Sequence, residues 1–146
     1  MECHFCQLQR GQLPVTGGFI CEDELVCAMH YADDTEPAYL GCLLVQTKRH
    51  APTFADLTDC EARAIGLLLA RLSRALKACV GAERSYVVFF GEAVPHLHVF
   101  ITARYPDTPP EYWRSNISAW PDAPRGGPEE ICALCDKLRA YLAQTA

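Results

Sequence analysis

The stretch "VPHLHVFITAR", residues 94–104, sets histidines against aliphatic residues at every second position. Side chains alternate along a strand, so His96, His98 and Phe100 share one face while Leu97, Val99 and Ile101 form the other, the core face. Two imidazoles are thereby presented together, their α-carbons roughly 6 to 7 Å apart. Polar nitrogens on an otherwise apolar strand need partners. The pair is therefore read as functional, where a lone histidine would be read as a structural residue.

Outward from this strand, "SYVVFFG" (85–91) is a second β-rich run, and the intervening Glu92-Ala93 reads as a tight connection between antiparallel neighbours. "GGFICEDELVCAMHY" (17–31) reads as a hairpin about the acidic turn Glu22-Asp23-Glu24. "YLGCLLVQT" (39–47) is a further strand, whose unbroken apolar run predicts burial on both faces. The period then changes. Thr58 with Glu61 is a capping-box signature, Ile65, Leu68, Leu69, Leu72, Leu76, Cys79 and Val80 follow at helical spacing, and Gly81 stops the helix. A second helix is expected in "GPEEICALCDKLRAYLAQ" (127–144), with Ile131, Leu134, Cys135, Leu138, Tyr141 and Leu142 as its apolar stripe. The Pro- and Gly-rich run between residues 104 and 127 reads as a long loop, a form that commonly carries function. This order predicts an α+β fold: an antiparallel sheet of about five strands, a main helix packed on it and a C-terminal helix.

Bulk properties bound the function. The chain has 146 residues, half of them hydrophobic, which suits one domain over 1–146, with a core at 1–104 and a loop-plus-helix extension at 105–146. A net charge of -5 gives no diffuse attraction for phosphate backbones, so no nucleic-acid partner is expected. No secretory pattern and no apolar run of the roughly 20 residues that cross a bilayer appears, so a cytoplasmic protein without membrane contact is expected. Nine cysteines, an odd number at uneven spacing, point to free thiols or metal ligands ahead of a disulfide framework.

Cys3 and Cys6 have the C-x-x-C spacing of half a tetrahedral zinc site, and imidazole is the usual complement to thiolate. A thioredoxin-like pair is the rival reading, but it wants a preceding strand. His4, His30, His50, His96 and His98 are the candidate completing ligands. His4 sits inside the cysteine knuckle and would have difficulty turning to the same ion, and His30 reads as a solvated strand end. Cys132 and Cys135 repeat the spacing on the second helix, where burial of Cys135 in the apolar stripe is the better reading.

"VPHLHVFITAR" resembles the histidine triad signature of a superfamily of nucleotide hydrolases and nucleotidyltransferases. "DTEPAYLGCLLVQTKRH" (34–50) is similar, without a gap, to a second block of that family, with Asp34, Pro37, Gly41, Lys48 and His50 at matching positions. The likeness spans roughly residues 1–104. It implies a structural zinc held by Cys3, Cys6, His50 and His96. His98 takes the role of nucleophile, attacking the α-phosphate of a nucleotide conjugate such as a phosphoramidate or dinucleoside polyphosphate. It further implies substrate contacts at Asp34, Lys48 and Arg104, and a homodimer paired through the sheet and main helix.

The chain departs from that pattern where Phe100 replaces the third histidine, a substrate-contact position, and where Glu92 and Ala93 stand for a glutamine and a serine. Losing one preorganised donor costs about 10² to 10³ in rate. A catalytically weakened nucleotide-binding protein and a catalytic-zinc hydrolase are thus the alternative functions. Arg114 or Arg125 are candidate substitute phosphate ligands, and Trp113 and Trp120 are read as packing residues ahead of base-stacking ones.

Overall fold

The structure is a computed structural model that describes residues 2–33 and 37–145. The expected hairpin forms from β1 (Phe19–Glu22) and β2 (Val26–His30). Its turn is built by Asp23, whose carboxylate accepts from the backbone N–H groups of Leu25 and Val26 at 2.7 and 2.9 Å. The run over 39–47 divides. Ala38–Tyr39 (β3) leaves the main sheet, and Cys42–Thr47 (β4) enters it. Gly41 makes the break: its φ of +93° lies in the left-handed region, and a Cβ there would stand 3.1 Å from that of Ala103.

The main helix α2 spans Asp59–Val80 between the Thr58 capping box and Gly81, as its sequence predicts. Strands β5 (Arg84–Val88) and β6 (His98–Arg104) follow, and the five strands order as β1-β2-β4-β6-β5, every pairing antiparallel. The expected two-residue connection between β5 and β6 is wrong: residues 89–97 form a loop. Pro95 cannot donate to a ladder, and the Leu97 N–H is drawn to the Ala51 carbonyl at 2.7 Å, so β6 starts at His98 and not at Val94.

Residues 105–145 carry two short 3₁₀ turns, strand β7 (Arg125–Gly126), which pairs with β3, and helix α3 (Pro128–Gln144). α2 and α3 cover the inner face of the sheet, burying Leu72, Leu76 and Leu138 against Val45, Val99 and Ile101. The outer face is covered in two places. A short helix, α1 (His4–Gln9), which the sequence reading did not anticipate, seats Phe5 and Leu8 on Met29 and Leu44. Farther along the sheet, Ile117, Trp120 and Ala123 of the C-terminal segment pack on Tyr39. Trp120 is thus a packing residue.

Candidate metal and phosphate centre

Cys3 and Cys6 stand at the start of α1, His50 follows β4, and His96 ends the loop before β6. Their ligand atoms converge within 4.8 Å of one another. His96 Nδ1 lies 3.4 Å from Cys3 Sγ and 3.5 Å from Cys6 Sγ, and His50 Nδ1 lies 3.6 Å from Cys6 Sγ. Zinc bonds of about 2.3 Å to sulfur and about 2.0 Å to nitrogen, set tetrahedrally, place sulfur and nitrogen about 3.5 Å apart. The cluster has those edges.

The proton positions agree. A carbonyl only accepts, so the 2.7 Å contact from His96 Nε2 to the Thr47 carbonyl puts the proton on Nε2 and the lone pair on Nδ1, facing the thiols. Burial holds the His96 imidazole below its ordinary pKa and so in the neutral, ligating form. Burial also raises the Cys6 thiol, and the neighbouring Cys3 adds to the shift. Two adjacent thiolates need a cation between them, and the donor set fits one.

His98 opens β6 and is excluded from the cluster. Its Nδ1 lies 2.7 Å from the His96 carbonyl, so Nδ1 carries the proton and Nε2 keeps the lone pair. Phe5 lies against the ring at a centroid distance of 4.7 Å. Across the ladder His98 faces Gln46. Gln46 is fully buried, its oxygen accepts from Gln9, and its amide nitrogen has no partner among the described residues. This is the site residue that sequence reasoning missed. Its only signal was a polar side chain inside an apolar strand.

The remaining predicted residues scatter. Lys48 Nζ bonds Glu22 at 2.6 Å, and Glu92 is exposed on the 89–97 loop. Arg104 is at the opposite end of β6 from His98, about 20 Å away along the strand. It pairs with Glu83 and stacks its guanidinium 4.2 Å from the Trp113 ring. Lys48 and Arg104 are thus each paired with a carboxylate on a neighbouring strand or its flank. Asp34 lies outside the described residues. His30 corrects its reading as a solvated strand end: it is 1% exposed, its Nε2 accepting from the Gly41 N–H at 3.0 Å.

Phe100 lies on the same face as His98, with its ring edge-on to Tyr31. It forms part of the lining of a cavity of about 480 Å³ that also includes Arg114 and Arg125. A second cavity of about 480 Å³ is lined by Leu13, Val15, Met29 and Asp33.

The HIT domain family profile matches residues 14–107. No curated protein sequence matches the chain. Among solved structures, the chain is similar to a Zn-bound histidine triad family protein from Mycobacterium smegmatis, at TM-score 0.73 and 21% identity over 99% of this chain and 96% of that one. A histidine triad nucleotide-binding protein from Sulfolobus tokodaii gives TM-score 0.74 and 22% identity over 97% and 93%. A HIT-like protein involved in cell-cycle regulation from Bartonella henselae gives 0.73 and 21% over 96% of each chain. At these identities the likeness is one of fold.

Proposed function

Because the chain belongs to the HIT domain family, we propose that it is a nucleotide hydrolase or nucleotidyltransferase whose covalent nucleophile is His98 Nε2. The observation that carries this reading is the division of the two imidazoles, one aimed at a thiol pair and the other held in the tautomer that leaves Nε2 free.

Cys3, Cys6, His50 and His96 would hold the ion, and the zinc-bound relative supports zinc as its identity. Four protein ligands leave no open position, so the metal's contribution is structural, fixing α1 and the loop before β6. That arrangement disfavours a catalytic-zinc hydrolase. His98 Nε2 attacks the α-phosphorus, a P–N bond forms, and the bond to the leaving group breaks with its electron pair on the departing atom. Water then attacks the same phosphorus, the P–N bond returns its pair to Nε2, and a proton is released. The His96 carbonyl, accepting from Nδ1–H, stabilises the charge that the ring gains in the first step. The cavity lined by Leu13, Val15, Met29 and Asp33 suits a nucleoside, and the family resemblance is what supports Asp34 as the ribose contact. The active molecule is proposed to be a cytoplasmic homodimer.

The test pairs metal analysis with intact mass after brief exposure to adenosine phosphoramidate or a diadenosine polyphosphate. Wild type should carry one zinc per chain and gain a nucleotidyl adduct. His98→Ala should keep the zinc and lose the adduct, whereas His96→Ala should lose the zinc. An adduct that survives in His98→Ala refutes the assignment. Nucleotide binding by wild type without adduct or turnover would establish the weakened binding protein, for which Phe100 is the motive.

A further inference from the structure

Helix α1 has only six residues, too few to persist in water without outside support, yet it touches both halves of the site. Cys3 and Cys6 join the cluster at its start. Phe5 lies against His96 and His98, with ring centroids 5.8 and 4.7 Å away, and His4 and Leu8 line the cavity proposed for the nucleoside. Its far end is held by a side chain that neither the nucleophile nor the cluster explains. Gln9, the last residue of the helix, reaches across to β4, where its amide nitrogen lies 2.9 Å from the Thr47 carbonyl and 3.1 Å from Gln46 Oε1.

The polarity of this link is determined from one end to the other. A backbone carbonyl only accepts, so Gln9 must present its NH2 group to Thr47, and the second hydrogen of that group goes to Gln46. Gln46 must then answer with its oxygen. Its own NH2 is turned away, buried and without a partner among the described residues. A buried donor left unpaired destabilises a fold, and an aliphatic residue in this apolar strand would avoid that cost. What glutamine supplies at position 46 is the acceptor that Gln9 needs. The Thr47 carbonyl meanwhile accepts from His96 Nε2 at 2.7 Å, the bond that turns His96 Nδ1 to the thiols. Gln9 and His96 thus share one acceptor and use both its lone pairs. Any shift of α1 that moves Gln9 disturbs the group that orients His96.

We propose that Gln9 is a positioning residue that ties the metal centre to the nucleoside cavity, with α1 as the connecting element. The proposal rests on the zinc and nucleotide readings above. Cys3, Cys6, His50 and His96 would seat the start of the helix through the ion they hold, and Gln9, through Thr47 and Gln46, seats its end. Held at both ends, α1 keeps His4 and Leu8 in the cavity wall and Phe5 on the His98 ring. Metal affinity and nucleotide affinity are then coupled through a residue that belongs neither to the cluster nor to the cavity lining.

The first measurement is zinc affinity, by competition with a chromophoric chelator. Gln9→Glu keeps the shape of the side chain and loses both hydrogens, and Gln9→Leu loses the polar group altogether. Each should weaken zinc binding about tenfold or more, the range expected of an outer partner of a ligand. Gln46→Leu, which spares the bond to Thr47, should weaken it by less. Wild-type affinity in Gln9→Glu, whatever Gln9→Leu does, would mean that the residue acts by packing and overturns the proposal. The second is amide hydrogen exchange of the zinc-loaded proteins. In Gln9→Glu the amides of residues 4–9 should exchange about tenfold faster, while those of α2 keep their wild-type rates. No change in α1, or equal acceleration in both helices, overturns the proposal. The third is AMP titrated into zinc-loaded protein, which Gln9→Glu should bind several-fold more weakly than wild type. Equal affinities would separate α1 from the cavity and overturn the coupling. Wild type that takes up no zinc refutes the metal reading and the proposal with it. Wild type that takes up zinc but not AMP refutes the nucleotide reading, while the first two measurements still decide whether Gln9 positions the helix.

Discussion

His30 shows how one side chain ties the acid stability of the molecule to its geometry. Its ring is buried at the end of β2, and Nε2 can accept from the Gly41 N–H only while that nitrogen is unprotonated. Burial, only partly offset by the Tyr31 backbone, lowers its pKa to about 4 from 6.5. The unfolded chain thus binds a proton that the folded chain refuses. Stability is complete above about pH 6.5 and falls as pH drops toward 4, by up to about 1.4 kcal/mol per pH unit from this group. Thermal melts of wild type and His30→Gln across pH 4–7 should differ in slope, wild type being the steeper. Parallel curves would show that the imidazole does not titrate in that window. The thiol–imidazole cluster is common to both proteins and cancels in the comparison.

At the scale of elements, α2 begins where the site is anchored. Thr58 and Glu61 close the capping box, and Glu61 also receives the Arg49 guanidinium through two contacts of 2.8 Å, next to His50 of the thiol–imidazole cluster. The Glu61 carboxyl is held at about 2, chiefly by Arg49. Thr58→Ala removes one N-cap acceptor and should cost about 1 kcal/mol in urea denaturation, with metal content unaltered because Arg49 keeps its partner. A cost near zero would show that Glu61 alone caps the helix.

The helices were legible in the sequence because caps and a 3.6-residue period recur over many turns. The strand faces were legible because the alternation over 97–101 is unbroken. What escaped was short or conditional. Six residues of α1 give no period, the position of Pro95 outweighed the β-propensity of residues 94–97, and Gly41 could announce a bend but not the sheet to which Tyr39 would pass. The metal cluster was readable from residue types and resemblance, because thiols and imidazoles have few other reasons to gather. The ion-pair partners of Lys48 and Arg104, Glu22 and Glu83, were not legible because strand register sets them.

For the whole molecule, the unfinished feature is the edge of the sheet. β5 bonds to β6 on one side only, and its other edge has no strand among the described residues. Natural edges are blunted by charge, proline or a covering loop. This one ends in apolar residues, Val87 at 49% exposure, Val88 at 36% and, just beyond, Phe90 at 77%. A second copy added antiparallel would extend the sheet through a two-fold axis and satisfy both edges at once, each strand offering the same surface to the other. The protein should therefore elute with the mass of two chains at micromolar concentration in light-scattering chromatography. Val87→Lys, which sets like charges against one another across that axis, should shift it to one chain without altering the circular dichroism of the fold. A wild-type protein that stays monomeric at tens of micromolar would mean that the edge is left free in solution. Phe90, which lines the arginine cavity, would then face solvent, so dimer formation also bears on how fully that cavity excludes water.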